Sequence, residues 1–60
     1  MFENLSQRMK RIRHEKRLTI RELALRMRVS QGYISRLENG LVMPTQQQAD
    51  VIRAFLGGKL

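Results

Sequence analysis

The chain has 60 residues, with twelve Lys and Arg against five Asp and Glu, a net charge of +7, one His and no Cys. That length allows one small domain over residues 1–60, which buries only about 60% of the surface its unfolded chain exposes. Without Cys there is no disulfide or zinc cluster to stabilise it, and the lone His14 brings no second ligand, so neither metal nor cofactor is expected. Stability must then come from regular helix packing or self-association. The opening run MFENLSQRMK lacks the order of a leader peptide, and no segment has membrane-spanning length, which reads as a soluble cytoplasmic protein without a membrane partner. The bases concentrate between Arg8 and Arg36, and Arg outnumbers Lys. Such a field favours polyanions, nucleic acid ahead of a merely solubilising surface. His14, Tyr33 and the few carboxylates form no nucleophile–base or paired-acid arrangement, so no enzyme is expected.

Four helices and no strand follow in chain order, an all-α chain. The first runs from about Glu3 to Lys16, with Glu3 or Asn4 at its start and Leu5, Met9 and Ile12 as its apolar stripe. HEKR ends it in a polar connection. The second covers about Ile20 to Met27: Thr19 and Glu22 fit a capping box, and Leu23, Ala24 and Met27 form the buried face while Leu25 lies off it. The third starts after Ser30, turns Ile34 and Leu37 inward and stops at Asn39-Gly40. Only Arg28 to Ser30 separate the second and third helices, the spacing of a helix-turn-helix. After the loop LVMP, Thr45 caps a fourth helix, TQQQADVIRAFL, with Ala49, Ile52 and Leu56 as apolar positions beside Val51 and Phe55, and Gly57-Gly58 stops it.

Thr19 to Gly40, TIRELALRMRVSQGYISRLENG, resembles the helix-turn-helix of the lambda-repressor-like proteins, the Cro or XRE type. The likeness extends from the first helix to the fourth and includes Leu23-Ala24, Val29-Ser30, Ile34-Ser35, Leu37-Glu38-Asn39-Gly40 and Pro44. It implies a compact four-helix domain whose third helix enters the major groove of double-stranded DNA. The matching base-reading positions are Gln31, Gly32, Tyr33 and Arg36. Gln31 suits adenine N6 and N7, and Arg36 suits guanine O6 and N7. A solvated Gln31 and a nonspecific phosphate contact for Arg36 are the plainer readings. Tyr33 either meets sugar, thymine methyl or phosphate, or forms a core edge with a wet hydroxyl. Gly32 costs the first turn about 1 kcal/mol relative to Ala, which close approach of the backbone to DNA would explain. Ser30, Asn39, Arg21, Arg28, Thr45, Lys10 and Arg11 are the phosphate candidates. Arg13 and Glu38 match a structural, partly buried ion pair.

Three features depart from that family. Ile20 stands where a phosphate-gripping Gln is frequent. Arg28 stands where a turn Gly is common, so either it holds a positive φ at some strain or the turn differs slightly. The loop Leu41-Val42-Met43 is apolar, and the family's fifth helix is absent. Leu41, Val42, Met43, Val51 and Phe55, with Leu60 beside them, therefore read either as a homodimer interface or as a cap folded back on the chain's own core. The function implied is a sequence-specific transcriptional regulator, a repressor reading an inverted repeat as a homodimer. The rival is a helical adaptor or antitoxin-like module with a protein partner and nonspecific nucleic-acid affinity.

Overall fold

In the computed structural model of the protein, residues 4–60 are described, so Glu3, the alternative helix start, lies outside them. The helices are α1 (Leu5–Glu15), α2 (Ile20–Met27), α3 (Gln31–Glu38) and α4 (Gln46–Leu56), and there is no strand among the described residues.

Each helix begins on a side chain that satisfies its first turn. Asn4 Oδ1 accepts from Gln7 N–H at 2.8 Å, and Gln7 Oε1 accepts from Asn4 N–H at 3.0 Å, closing a capping box on α1. Thr19 and Glu22 close the equivalent box on α2, each bond 3.0 Å. Hydrogen bonding to the carboxylate, from the Thr19 backbone N–H first and the Thr19 side chain second, holds the Glu22 carboxyl below its ordinary value of 4.5. Ser30 and Thr45 cap α3 and α4 by accepting from Tyr33 N–H and Gln48 N–H.

The four helices also end alike. The chain turns left-handed at Arg17 (φ 56°), Arg28 (φ 59°), Gly40 (φ 72°) and Gly58 (φ 76°). The next residue then donates back across the last turn: Leu18 to Arg13, Val29 to Ala24, Leu41 to Arg36 and Lys59 to Ala54, all at 2.9–3.0 Å. Glycine adopts this geometry freely, whereas at Arg17 and Arg28 the Cβ resists it. Arg28 had the signal of a replaced turn Gly; Arg17 had none.

None of these helices, at 8 or 11 residues, is long enough to persist alone, so the core holds them. α1 packs on α4 and α3, and α2 packs on α3. Met9, Leu23, Ile34, Leu37, Ile52 and Phe55 are fully buried where these contacts meet. Each such side chain contributes about 1.5–3 kcal/mol relative to exposure. Leu18, in the α1–α2 connection, turns inward to join them.

Phe55 is the one expected interface residue that the fold removes from the surface. Its ring is completely buried, with Lys16 Nζ 5.1 Å from the ring centroid, so it belongs to the core and cannot meet a second copy. Leu56, expected in the core, is only partly buried: a step of about 100° around the helix exchanges the two. Val42 and Val51 are partly buried against the same core, while Leu41 and Met43 are 72% and 87% exposed.

Candidate nucleic-acid interface

The site is built on the turn from α2 to α3. Arg28 in left-handed geometry reverses the chain, Val29 packs on the core beneath the turn, and Ser30 starts α3 at once. Ala24, 2% exposed, lets the two helices meet closely. With Ile34 and Leu37 anchored inward, the helical period turns Gln31, Gly32 and Arg36 outward, and all three are exposed.

The side chains of Gln31 and Arg36 make no hydrogen bond or ion pair with any described residue. Gly32 has ordinary helical backbone, so its lack of a side chain is not a requirement of φ. What a Cβ there would meet is Arg36 Nη1, at 3.2 Å. The Arg36 side chain leans back over Gly32, in the direction helical side chains take. Gly32 thus gives the guanidinium a smooth strip of backbone to lie on. Tyr33 is different: its ring packs on the core and its Oη is enclosed, so the hydroxyl is neither wet nor presented to a base edge.

The other positions divide by what they already hold. Arg21 and Arg28 are exposed and unpaired among the described residues, and Lys10 is exposed on α1. Arg11 donates to Glu15 at 3.1 Å. Ser30 and Thr45 hydroxyl oxygens accept from their helices, and Asn39 follows the last turn of α3 with Nδ2 3.4 Å from Ser35 Oγ. Ile20 is partly buried on the core, which leaves its neighbour Arg21 as the cation at the start of α2.

Arg13 and Glu38 face inward. Arg13 Nε donates to Glu38 Oε2 at 2.8 Å and Nη2 to Oε1 at 2.9 Å, a two-pronged bridge from α1 to the end of α3. Nη1 donates to the Leu18 carbonyl at 2.8 Å, and Nη2 lies 3.2 Å from His14 Nε2. With side chains 9% and 4% exposed, the pair fixes α3 to the rest of the fold and has no face for a ligand.

A groove runs between the starts of α3 and α4, lined by Ser30, Tyr33, Arg36, Thr45, Gln47 and Gln48 among others. Sequence reasoning did not single out Gln47 or Gln48. Their only signal was the capping position of Gln48, three residues after Thr45, and the approach of α3 that makes the groove is tertiary. No helix among the described residues is long and apolar enough to cross a membrane.

No curated protein and no solved structure matches the chain. A helix-turn-helix family model matches residues 9–60, all but the first eight positions. The turn, the outward face of α3 and this match agree. The chain belongs to the helix-turn-helix family of the Cro/C1, lambda-repressor-like type, a family of DNA-binding transcription regulators.

Proposed function

We propose that the protein is a sequence-specific transcriptional repressor that binds an inverted-repeat operator as a homodimer, one α3 in each of two successive major grooves. The observation that carries this reading is the outer face of α3, where Gln31 and Arg36 are exposed and have no partner among the described residues. Gln31 reads adenine and Arg36 reads guanine, each through two hydrogen bonds, and Gly32 lets the backbone come close. Arg21, Arg28, Lys10, Ser30, Asn39 and Thr45 hold phosphates around them, joined by Arg11 when it leaves Glu15. The exposed Leu41 and Met43 supply the apolar contact across the two-fold axis, with Val42 and Val51 behind them.

Selection of binding sites from random duplex DNA tests the reading. The expected product is a palindrome with half-sites about 34 Å apart. Binding without sequence enrichment, with only a steep salt dependence, sinks it and favours the adaptor reading, for which the same exposed Leu41 and Met43 would bind a different protein. Sedimentation tests the two-fold contact. The parent chain is expected to run as a dimer and Met43→Glu as a monomer; equal masses remove Met43 from the interface.

A further inference from the structure

In α1 and α2 the residue three places after the cap reaches back to the cap's own N–H: Gln7 to Asn4 and Glu22 to Thr19. α4 has the residues for the same box, Thr45 followed by Gln48, and Thr45 Oγ1 accepts from Gln48 N–H at 3.1 Å. The return bond is not made. Gln48 Oε1 is instead enclosed, with no hydrogen-bond partner among the described residues. The other such atom is Tyr33 Oη, and Tyr33 holds the corresponding place in α3, three residues after Ser30. Both residues line the groove between the two helix starts, beside Arg36. An enclosed polar atom without a partner has lost its water without gaining a replacement, so two in one groove call for a ligand or an interaction that uses them.

Their chemistry restricts the choice. Gln48 Oε1 can only accept, and a phosphate diester also has only acceptors, so a phosphate cannot satisfy it. The Tyr33 hydroxyl can, because it carries a proton. A carboxamide whose oxygen faces inward to that hydroxyl presents its NH2 outward, where Arg36 also donates.

We propose that Tyr33 O–H and Gln48 Oε1, which line one groove but are not bonded to each other in the free protein, pair when DNA binds, so that Tyr33 donates to Oε1 and sets the Gln48 amide to donate from Nε2 to a DNA backbone phosphate beside Arg36. Gln48 is then a phosphate contact and Tyr33 a positioning residue, not a reader of bases. The inference rests on the DNA-binding function proposed above. It explains why the capping box of α4 is left open: closing it would hold the amide oxygen at the Thr45 backbone.

The test uses the full chain on two duplexes, one recovered by selection and one of random sequence. Tyr33→Phe and Gln48→Leu are each expected to weaken binding to both duplexes about three- to tenfold, the range of one net hydrogen bond. The double variant should be no weaker than Gln48→Leu alone, and base preferences should stay unchanged at every position. Gln48→Glu keeps the shape and can still close the capping box, so it separates fold from contact. It should melt no lower than the parent yet bind at least as weakly as Gln48→Leu. Replacing phosphates one at a time by neutral methylphosphonate should find one position that weakens the parent and leaves Gln48→Leu unaffected. Additive losses, a changed base preference in Tyr33→Phe, or the absence of such a phosphate overturns the pair alone. A parent chain that binds neither duplex overturns the DNA function and the pair with it.

Discussion

Two arginines in this small domain are held in opposite ways. Arg13, at the seam of α1 and α3, has its guanidinium engaged on three sides, by both Glu38 oxygens, the Leu18 carbonyl and the edge of His14. Arg36, on the outer face of α3, lies over Gly32 with no acceptor among the described residues. Burial dictates the first arrangement, because a charge taken out of water must be matched on every side or the fold loses several kcal/mol. Exposure permits the second, and an unmatched guanidinium at the surface is ready for an acceptor from outside. The same side chain therefore serves as a structural clamp in one place and a contact in the other, and the difference lies wholly in what surrounds it.

The comparison can be broken most severely at the seam. Glu38→Ala leaves Arg13 buried without its carboxylate and is expected to cost about 3–5 kcal/mol, enough to unfold a domain of this size. Changing Arg13 and Glu38 together to Met and Leu removes both charges and should cost less. Thermal melting of the two variants decides the matter, and equal or reversed losses would remove the pair as a structural clamp.

At the outer face the expectation inverts. Arg36→Ala should leave melting within about 0.5 kcal/mol of the parent. On the selected duplex it should lose about 1–3 kcal/mol of binding, with relaxed preference at one base pair. A loss shared equally by all duplexes would mark Arg36 as a phosphate contact only.

Gly32→Ala sharpens the contrast on a smaller scale. The free protein should gain a few tenths to about 1 kcal/mol in melting experiments, since Ala is the better helix former. The new methyl group displaces the Arg36 guanidinium, whose Nη1 lies 3.2 Å from where it would sit, and that end is flexible enough to move. Operator binding should weaken at the same time; unaltered binding would show that the close approach is not used.

The smallest effect belongs to a charge of neither kind, the exposed Glu22 of the α2 capping box. Its lowered pKa means that the carboxylate stabilises the fold above the ordinary carboxylate value of 4.5, and this is lost as the pH falls through the lower folded value. Gln can make the same reach to Thr19 N–H, as Gln7 does to Asn4. Melting followed from neutral to acidic pH should therefore fall slightly less in Glu22→Gln than in the parent. Parallel curves would show that the charge of Glu22 adds nothing.

Most of the fold was legible because it is specified locally. Asn4, Thr19, Ser30 and Thr45 announce helix starts through hydrogen bonds made within three residues. The stripes Met9 with Ile12, Leu23 with Met27, and Ile34 with Leu37 leave little choice of inner face. α4 was less legible, because Val51, Ile52, Phe55 and Leu56 make it apolar over a broad arc and only contact with α1 decides that Phe55 goes inside. Leu18 and the left-handed Arg17 were hidden for a similar reason: nothing local in HEKRL says that the chain turns inward there. The outward positions of Gln31 and Arg36 follow from the period of α3, whereas the groove with Tyr33 and Gln48 needs two helix starts brought together from distant parts of the chain.

The left-handed arginines have a consequence for temperature. The backbone geometry of Arg17 and Arg28 costs about 1 kcal/mol at each. In a domain this small, that energy corresponds to about 4–8 °C of melting temperature per turn. Glycine at either position would raise the melting point, less whatever its freer unfolded chain takes back, and would remove a cation each time. Heat tolerance and attraction for a polyanion are thus adjusted in opposite directions at the same two turns, with no change to the core.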